Sequence, residues 1–130
     1  MTDGSRTGAL DAVVWISCAL AVGSALLAVG HAGTRIPIVS ALGPGGSDPV
    51  VPAAIAFAVG ACLHGTVAYG VARRHPWAWP LGVLVAAVTL IGAATPFRGA
   101  GSVVGIVLAG AELGLLLTSR VRRAILRPAS

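Results

Sequence analysis

The sequence predicts an all-α fold: a four-helix transmembrane bundle with its N- and C-termini on the cytoplasmic side. Three observations carry that expectation. The 130-residue chain is 56% hydrophobic and only 10% charged, against about 25% charged residues in a typical soluble domain. Its apolar residues gather in four runs of nearly membrane-spanning length. Its arginines cluster in alternate connections between those runs. A chain this short cannot hide so much apolar surface in one core, so lipid is the expected solvent. The whole of 1–130 reads as a single integral membrane domain.

The four runs cover about 12–30, 51–72, 77–95 and 102–119. Each is near the roughly 20 residues a helix needs to cross a hydrocarbon core. None alternates as a barrel strand would, and a helix satisfies its own backbone in lipid. Residues 1–11 form a short polar leader with Asp3, Arg6 and Asp11. The run after it is too long for a signal-peptide core, so an uncleaved anchor is expected. In the third run, Pro80 falls in the first turn, where a missing N–H costs nothing.

Orientation follows from the basic residues. There is no lysine, and the net charge of +5 comes from nine arginines against four acids. Arg6, Arg73, Arg74, Arg120, Arg122, Arg123 and Arg127 share one side if every run crosses, leaving Arg35 and Arg98 on the other. The positive-inside rule places the first side in the cytoplasm. Trp15, Tyr69, Trp77 and Trp79 fall near the same boundary, as an interfacial aromatic belt would. Trp15, Trp77, Trp79, Arg73, Arg74, Arg120, Arg122 and Arg123 are therefore the expected interface anchors. The C-terminal segment RVRRAILR reads as a basic, partly amphipathic extension on anionic headgroups. Arginines at the ends of apolar runs, not in a groove-like patch, argue against nucleic acid as a partner. The Ala/Gly/Val/Arg-rich composition points to a bacterial cytoplasmic membrane.

The outer connections differ. Pro96–Gly101 is a tight turn. The connection 31–50 is long for a bundle, and its apolar middle, Ile36–Leu42, is expected along the interface or over the bundle mouth. Its glycines are not a phosphate-binding loop, since no GK[ST] follows them. Cys18 and Cys62 both lie inside apolar runs without a CxxC or metal spacing, so they read as small buried hydrophobes. No metal site and no cofactor is expected.

Chemistry centres on Glu112, the one acid inside an apolar run. An ionisable group at that depth is expensive and marks a functional-site hypothesis. Its helical face carries Gly101, Gly105, Leu108, Ala109 and Ser119, a mostly small stripe that allows close helix approach. Gly60, Gly101, Gly105 and Ala109 are the expected packing positions. The candidate partner is His64, about 13 residues into its run from the outer end, with Glu112 about 10 residues into its own; at 1.5 Å per residue they differ by roughly one turn. A Glu–His contact relieves the cost of burying each. Tyr69 joins them as a candidate ligand or proton site, and Ser24, Thr66 and Thr89 are further polar candidates.

In size and helix count the chain resembles the small multidrug-resistance transporters. Those carry their membrane glutamate in the first helix, where this chain has Ser17 and Cys18 and no acid, so the resemblance implies architecture and no activity. No catalytic motif is present: no HExxH, no Ser–His–Asp arrangement and no DxxxD. The expected function is a small polytopic membrane protein acting through intramembrane contacts, as an accessory subunit of a larger complex or a homo-oligomer. The alternative is a proton-coupled small transporter, or a membrane enzyme for a hydrophobic small molecule, with Glu112 and His64 as the acid/base pair.

Overall fold

The computed structural model describes residues 4–37 and 48–126. Helix α1 spans Gly4–His31, α2 Val51–Ala72, α3 Ala78–Ala94, α4 Ala100–Leu117 and α5 Ser119–Leu126. No strand occurs among the described residues. Residues Gly8–His31 of α1, together with α2 and α4, are long and apolar enough to cross a membrane; α3, at 17 residues, is a shorter apolar helix. The chain is an all-α bundle of membrane-protein character.

The first helix begins eight residues before the expected 12. No proline or other breaker interrupts 4–11, and Leu10, Val13, Ser17 and Leu20 recur at spacings of three and four, all buried. The stretch taken for a polar leader is thus a helical turn with a core face, and Asp11 sits on its exposed side. Most of the expected outer segment Ile36–Leu42 lies outside the described residues, as do Asp3 and Arg127.

Helices α1 and α2 pack as one hairpin and α3 and α4 as another; α2 also meets α3, and α1 meets α4. The four close into a ring. The hairpins are joined at the arginine-rich end by a tight reversal. The His75 N–H donates to Gly70 O at 2.8 Å and the Arg74 N–H to Val71 O at 3.0 Å, the Schellman pattern of a helix C-terminus. Its left-handed position is Arg74, with φ +54°, where glycine is the unstrained choice and another residue costs about 1–2 kcal/mol.

Glycines set the closest approaches. A Cβ on Gly70 would meet the Trp77 ring at 2.6 Å and Ala78 Cβ at 2.7 Å. A Cβ on Gly82 would meet Leu116 Cδ1 at 3.0 Å and Val67 Cγ1 at 3.2 Å. Of the expected packing positions, Gly60 faces Ser24 and Gly105 lies tight against Ala93, while Ala109 is fully buried. Gly101 is exposed at the start of α4.

The main apolar core lies at the arginine-rich end. It joins Leu10 and Val13 of α1, Val67 and Val71 of α2, Ala78 and Val85 of α3, Leu116 of α4, and Val121 and Ile125 of α5. This corrects the reading of RVRRAILR as an extension lying on headgroups. Thr118, with extended backbone, ends α4. The chain then turns α5 so that Val121 and Ile125 close the end of the bundle, with Arg120, Arg122 and Arg123 exposed. Packed there, the two branched side chains are almost completely removed from water, as burial of apolar surface favours.

Candidate functional site

Each of the four long helices contributes one polar side chain to a cluster inside the bundle. Ser17 comes from α1, His64 from α2, Thr89 from α3 and Glu112 from α4. The register follows from the inward stripes: 10, 13, 17 and 20 on α1; 64, 67, 68 and 71 on α2; 78, 82, 85 and 86, continuing to 89, on α3; 102, 109, 112 and 116 on α4. The stripes step mostly by three, four or seven, the repeat of one helical face, so a polar residue written into one faces the ring's interior.

The contacts form a chain. The Ser17 hydroxyl donates to Glu112 Oε1. Glu112 Oε2 lies 3.5 Å from His64 Nδ1. His64 Nε2 lies 3.0 Å from Thr89 Oγ1. Ser17 and Glu112 are 0% exposed and His64 is 1% exposed. Among the described residues Glu112 Oε2 and His64 Nδ1 have no hydrogen-bond partner, and they lie next to each other. At 3.5 Å they are beyond a good hydrogen bond.

This arrangement handles a proton in two ways. With Nδ1–H pointing at the carboxylate, the Thr89 hydroxyl donates to Nε2. With Nε2–H donating to Thr89 Oγ1, Nδ1 is an acceptor for a proton carried on Oε2. The carboxyl and the imidazole are therefore neighbouring groups that could each hold a proton, with a 3.5 Å gap between them. Burial away from water makes each bond matter, because an unpaired polar group in hydrocarbon costs several kcal/mol by order of magnitude.

Glu112 and His64 come to the same depth. His64 is thirteen residues after Val51, and Glu112 twelve after Ala100. The small gap expected between them disappears because α4 starts at Ala100 and not at 102. Tyr69 is outside the cluster: it is exposed, with Arg73 over its ring at 5.7 Å and His75 tilted against it at 6.2 Å. Thr66 bonds to Cys62 O of its own helix. Ser17 was not among the sequence-predicted site residues. Its sequence signal is the spacing of three and four with Leu10, Val13 and Leu20.

Among the expected interface anchors, Trp15 and Trp77 are exposed, as are Arg73, Arg74, Arg120, Arg122 and Arg123. Trp79, also expected as an anchor, makes contacts within the bundle. It is half-buried, its Nε1–H donates to Leu116 O at 2.8 Å, and Arg122 lies over its ring at 5.0 Å. Among the described residues no three His, Cys, Asp or Glu side chains group as a metal site.

Comparison with known protein families, with curated proteins and with solved structures gave no match.

Two clefts lie away from the polar cluster. One, of about 410 Å³, is open and apolar between the outer ends of α1 and α2, along Ala28, Val29, Ala32, Pro49, Ile55 and Ala58. The other, of about 160 Å³, lies at the arginine-rich end between Leu10, Asp11, Val14, Val71, Ala72 and Arg74.

Proposed function

We propose that this chain is a small multi-pass membrane protein that acts through contacts within the bilayer, as a homo-oligomer or an accessory subunit of a larger membrane complex. The carrying observation is the division between inside and outside. Ser17, His64, Thr89 and Glu112, one from each long helix, are turned onto one another, while the outward faces are bulky and apolar. On α2, Val51, Ile55, Val59 and Leu63 form an exposed stripe at four-residue spacing; Leu84, Val88 and Ile91 do so on α3. Gly65 and Gly114 face outward with open space where a Cβ would be. Outward glycine beside bulky apolar residues suits close approach by a helix of another chain.

Both termini lie on the cytoplasmic side in this reading. The arginines at the α5 end, against Arg35 and Arg98 at the other, support that orientation, and a bacterial cytoplasmic membrane fits the composition. The test is native mass spectrometry of the protein released directly from membranes, with oxidative cross-linking through the exposed Cys62. The expected result is a defined oligomer or a stoichiometric complex. A monomer under both measurements overturns the proposal.

A second reading is favoured by one observation, the facing Glu112 Oε2 and His64 Nδ1 atoms. A pair with a proton seat on each side fits a proton-coupled carrier, in which Glu112 and His64 alternate as donor and acceptor. A pH-driven flux in proteoliposomes that disappears in Glu112→Gln would establish this reading, and a flux unchanged in that variant would remove it.

A further inference from the structure

We infer that the cleft between α1 and the end of α2 binds the headgroup of a zwitterionic phospholipid, with Asp11 taking a primary ammonium and Arg74 the phosphodiester. The cleft, of about 160 Å³, is lined by Leu10, Asp11, Val14, Val71, Ala72 and Arg74. Its place along the chain is headgroup depth. Asp11 lies three residues inside the start of the membrane-length span Gly8–His31, and Arg74 two residues beyond the end of the span Val51–Ala72. Such a site needs α1 and α2 to cross a bilayer and is independent of the oligomer and carrier readings.

Three features set this cleft apart from a merely solvated surface. First, its lining carries both signs of charge, and the two charges stay apart. Among the described residues neither the Asp11 carboxylate nor the Arg74 guanidinium has an ion pair or a hydrogen bond, although they share the cleft. A ligand that carries an ammonium and a phosphate fills that gap with both signs matched, the phosphate oxygens on the guanidinium fork. Second, Arg74 holds the left-handed position of the Schellman turn, with φ +54°. Glycine would relieve that strain, so a cation is kept at a position where the backbone favours its absence. Third, the floor is apolar and firmly packed. Leu10 and Val71 belong to the buried terminal core, and Val14 packs against it. Charged groups above an apolar floor match a headgroup above glycerol and the first acyl carbons.

The two charges set an order among lipids. Phosphatidylethanolamine offers N–H donors to the carboxylate and phosphate oxygens to the guanidinium. Phosphatidylcholine keeps the phosphate, but its quaternary ammonium has no N–H to donate. Phosphatidylglycerol lacks the cation, so its negative charge meets Asp11 as well as Arg74. The net charge of +5 acting as a diffuse field would instead favour phosphatidylglycerol. A lead for phosphatidylethanolamine is therefore a signature that bulk attraction does not produce. Arg123 serves as the comparison. It is not among the cleft's residues, and its Nε–H donates to Ser119 O at 3.0 Å.

The test measures the thermal unfolding midpoint of the full-length protein in a neutral detergent during titration with phosphatidylethanolamine, phosphatidylcholine or phosphatidylglycerol. Native mass spectrometry counts retained lipids in parallel. Phosphatidylethanolamine is expected to raise the wild-type midpoint most and to be retained most. Asp11→Asn should lose the preference for phosphatidylethanolamine over phosphatidylcholine. Arg74→Gly should lose most of the phosphatidylethanolamine increment, while Arg123→Gln keeps it. Arg74→Gly should also unfold no lower than wild type in detergent alone, since it removes backbone strain; this keeps the test open if Asp11→Asn folds poorly. An increment from phosphatidylglycerol or phosphatidylcholine as large as that from phosphatidylethanolamine overturns the proposal. So does a preference retained in Asp11→Asn, a full increment in Arg74→Gly, or a loss in Arg123→Gln as large as in Arg74→Gly. An increment reproduced by free phosphoethanolamine, which carries both charges without acyl chains, would assign the cleft to a soluble zwitterion and would also overturn it.

Discussion

Ser17 and Glu112 are separated by 95 positions in the chain, yet the Ser17 hydroxyl donates directly to Glu112 Oε1 inside the bundle. That bond ties the first long helix to the last, and through His64 and Thr89 the tie extends to the other two. The cluster therefore fixes the rotation of every helix in the ring. A rotation of any one helix by a single residue, about 100°, would leave a polar group facing lipid.

The Ser17–Glu112 bond should be measurable as a coupling. Ser17→Ala and Glu112→Gln, singly and together, form a double-mutant cycle in detergent unfolding. A coupling of about 0.6–2 kcal/mol is expected for an interhelical bond in an apolar setting. Simple additivity of the two substitutions would show that the bond contributes nothing.

Replacing Glu112 by leucine should cost more than replacing it by glutamine. Glutamine can still accept from Ser17, whereas leucine leaves Ser17 Oγ without its acceptor and His64 Nδ1 without any polar neighbour. Roughly 1–3 kcal/mol should separate the two variants, the cost of orphaned buried groups. Equal midpoints for Glu112→Leu and wild type would show that the acid is not structural and that its cost is carried for another reason.

Gly70 should reject even a methyl group. The added Cβ would lie 2.6 Å from the Trp77 ring and 2.7 Å from Ala78 Cβ, and both neighbours belong to the reversal into α3. Gly70→Ala is expected to destabilise by about 1–3 kcal/mol through overpacking. Gly114→Ala, whose Cβ meets nothing within 4 Å in the single chain, is the control: it should leave the midpoint of the monomer unchanged. If Gly114→Ala weakens an oligomer seen by native mass spectrometry, its outward face is part of that interface.

Closure by α5 should be a large contribution to stability. Ile125 is fully buried in the terminal core, so Ile125→Ala should cost about 2–5 kcal/mol by loss of burial and cavity formation. Limited proteolysis of that variant should cleave first within 119–126. Protection equal to wild type would show that α5 does not depend on its core contacts.

The helices were legible because lipid imposes a simple rule on a chain: long apolar runs, each satisfying its own backbone. Arginine placement likewise marked the ends of the runs. Glu112 and His64 stood out because ionisable groups in such runs are rare. Ser17 did not, since serine is common and inexpensive in membrane helices through bonding to its own backbone; only its partner distinguishes it. The bond of Trp79 was not legible for a related reason. An indole near a boundary suits a headgroup belt and a helix–helix bond equally well, and the difference is where its N–H points.

By itself, then, the sequence determined an all-α membrane-type chain, three of its four long helices to within about two residues at each end, and the acid and imidazole around which a site could form. Those are one-dimensional properties: run length, composition and charge position along the chain. The tertiary structure decided the order of helices around the ring, the inward turn of α5, the recruitment of Ser17 and Thr89, and the exclusion of Tyr69. Those depend on which face of each helix meets which neighbour. A residue's face is set by packing at a few tight positions, such as Gly70 and Gly82, where the shape of the partner and not the composition of the run is what counts.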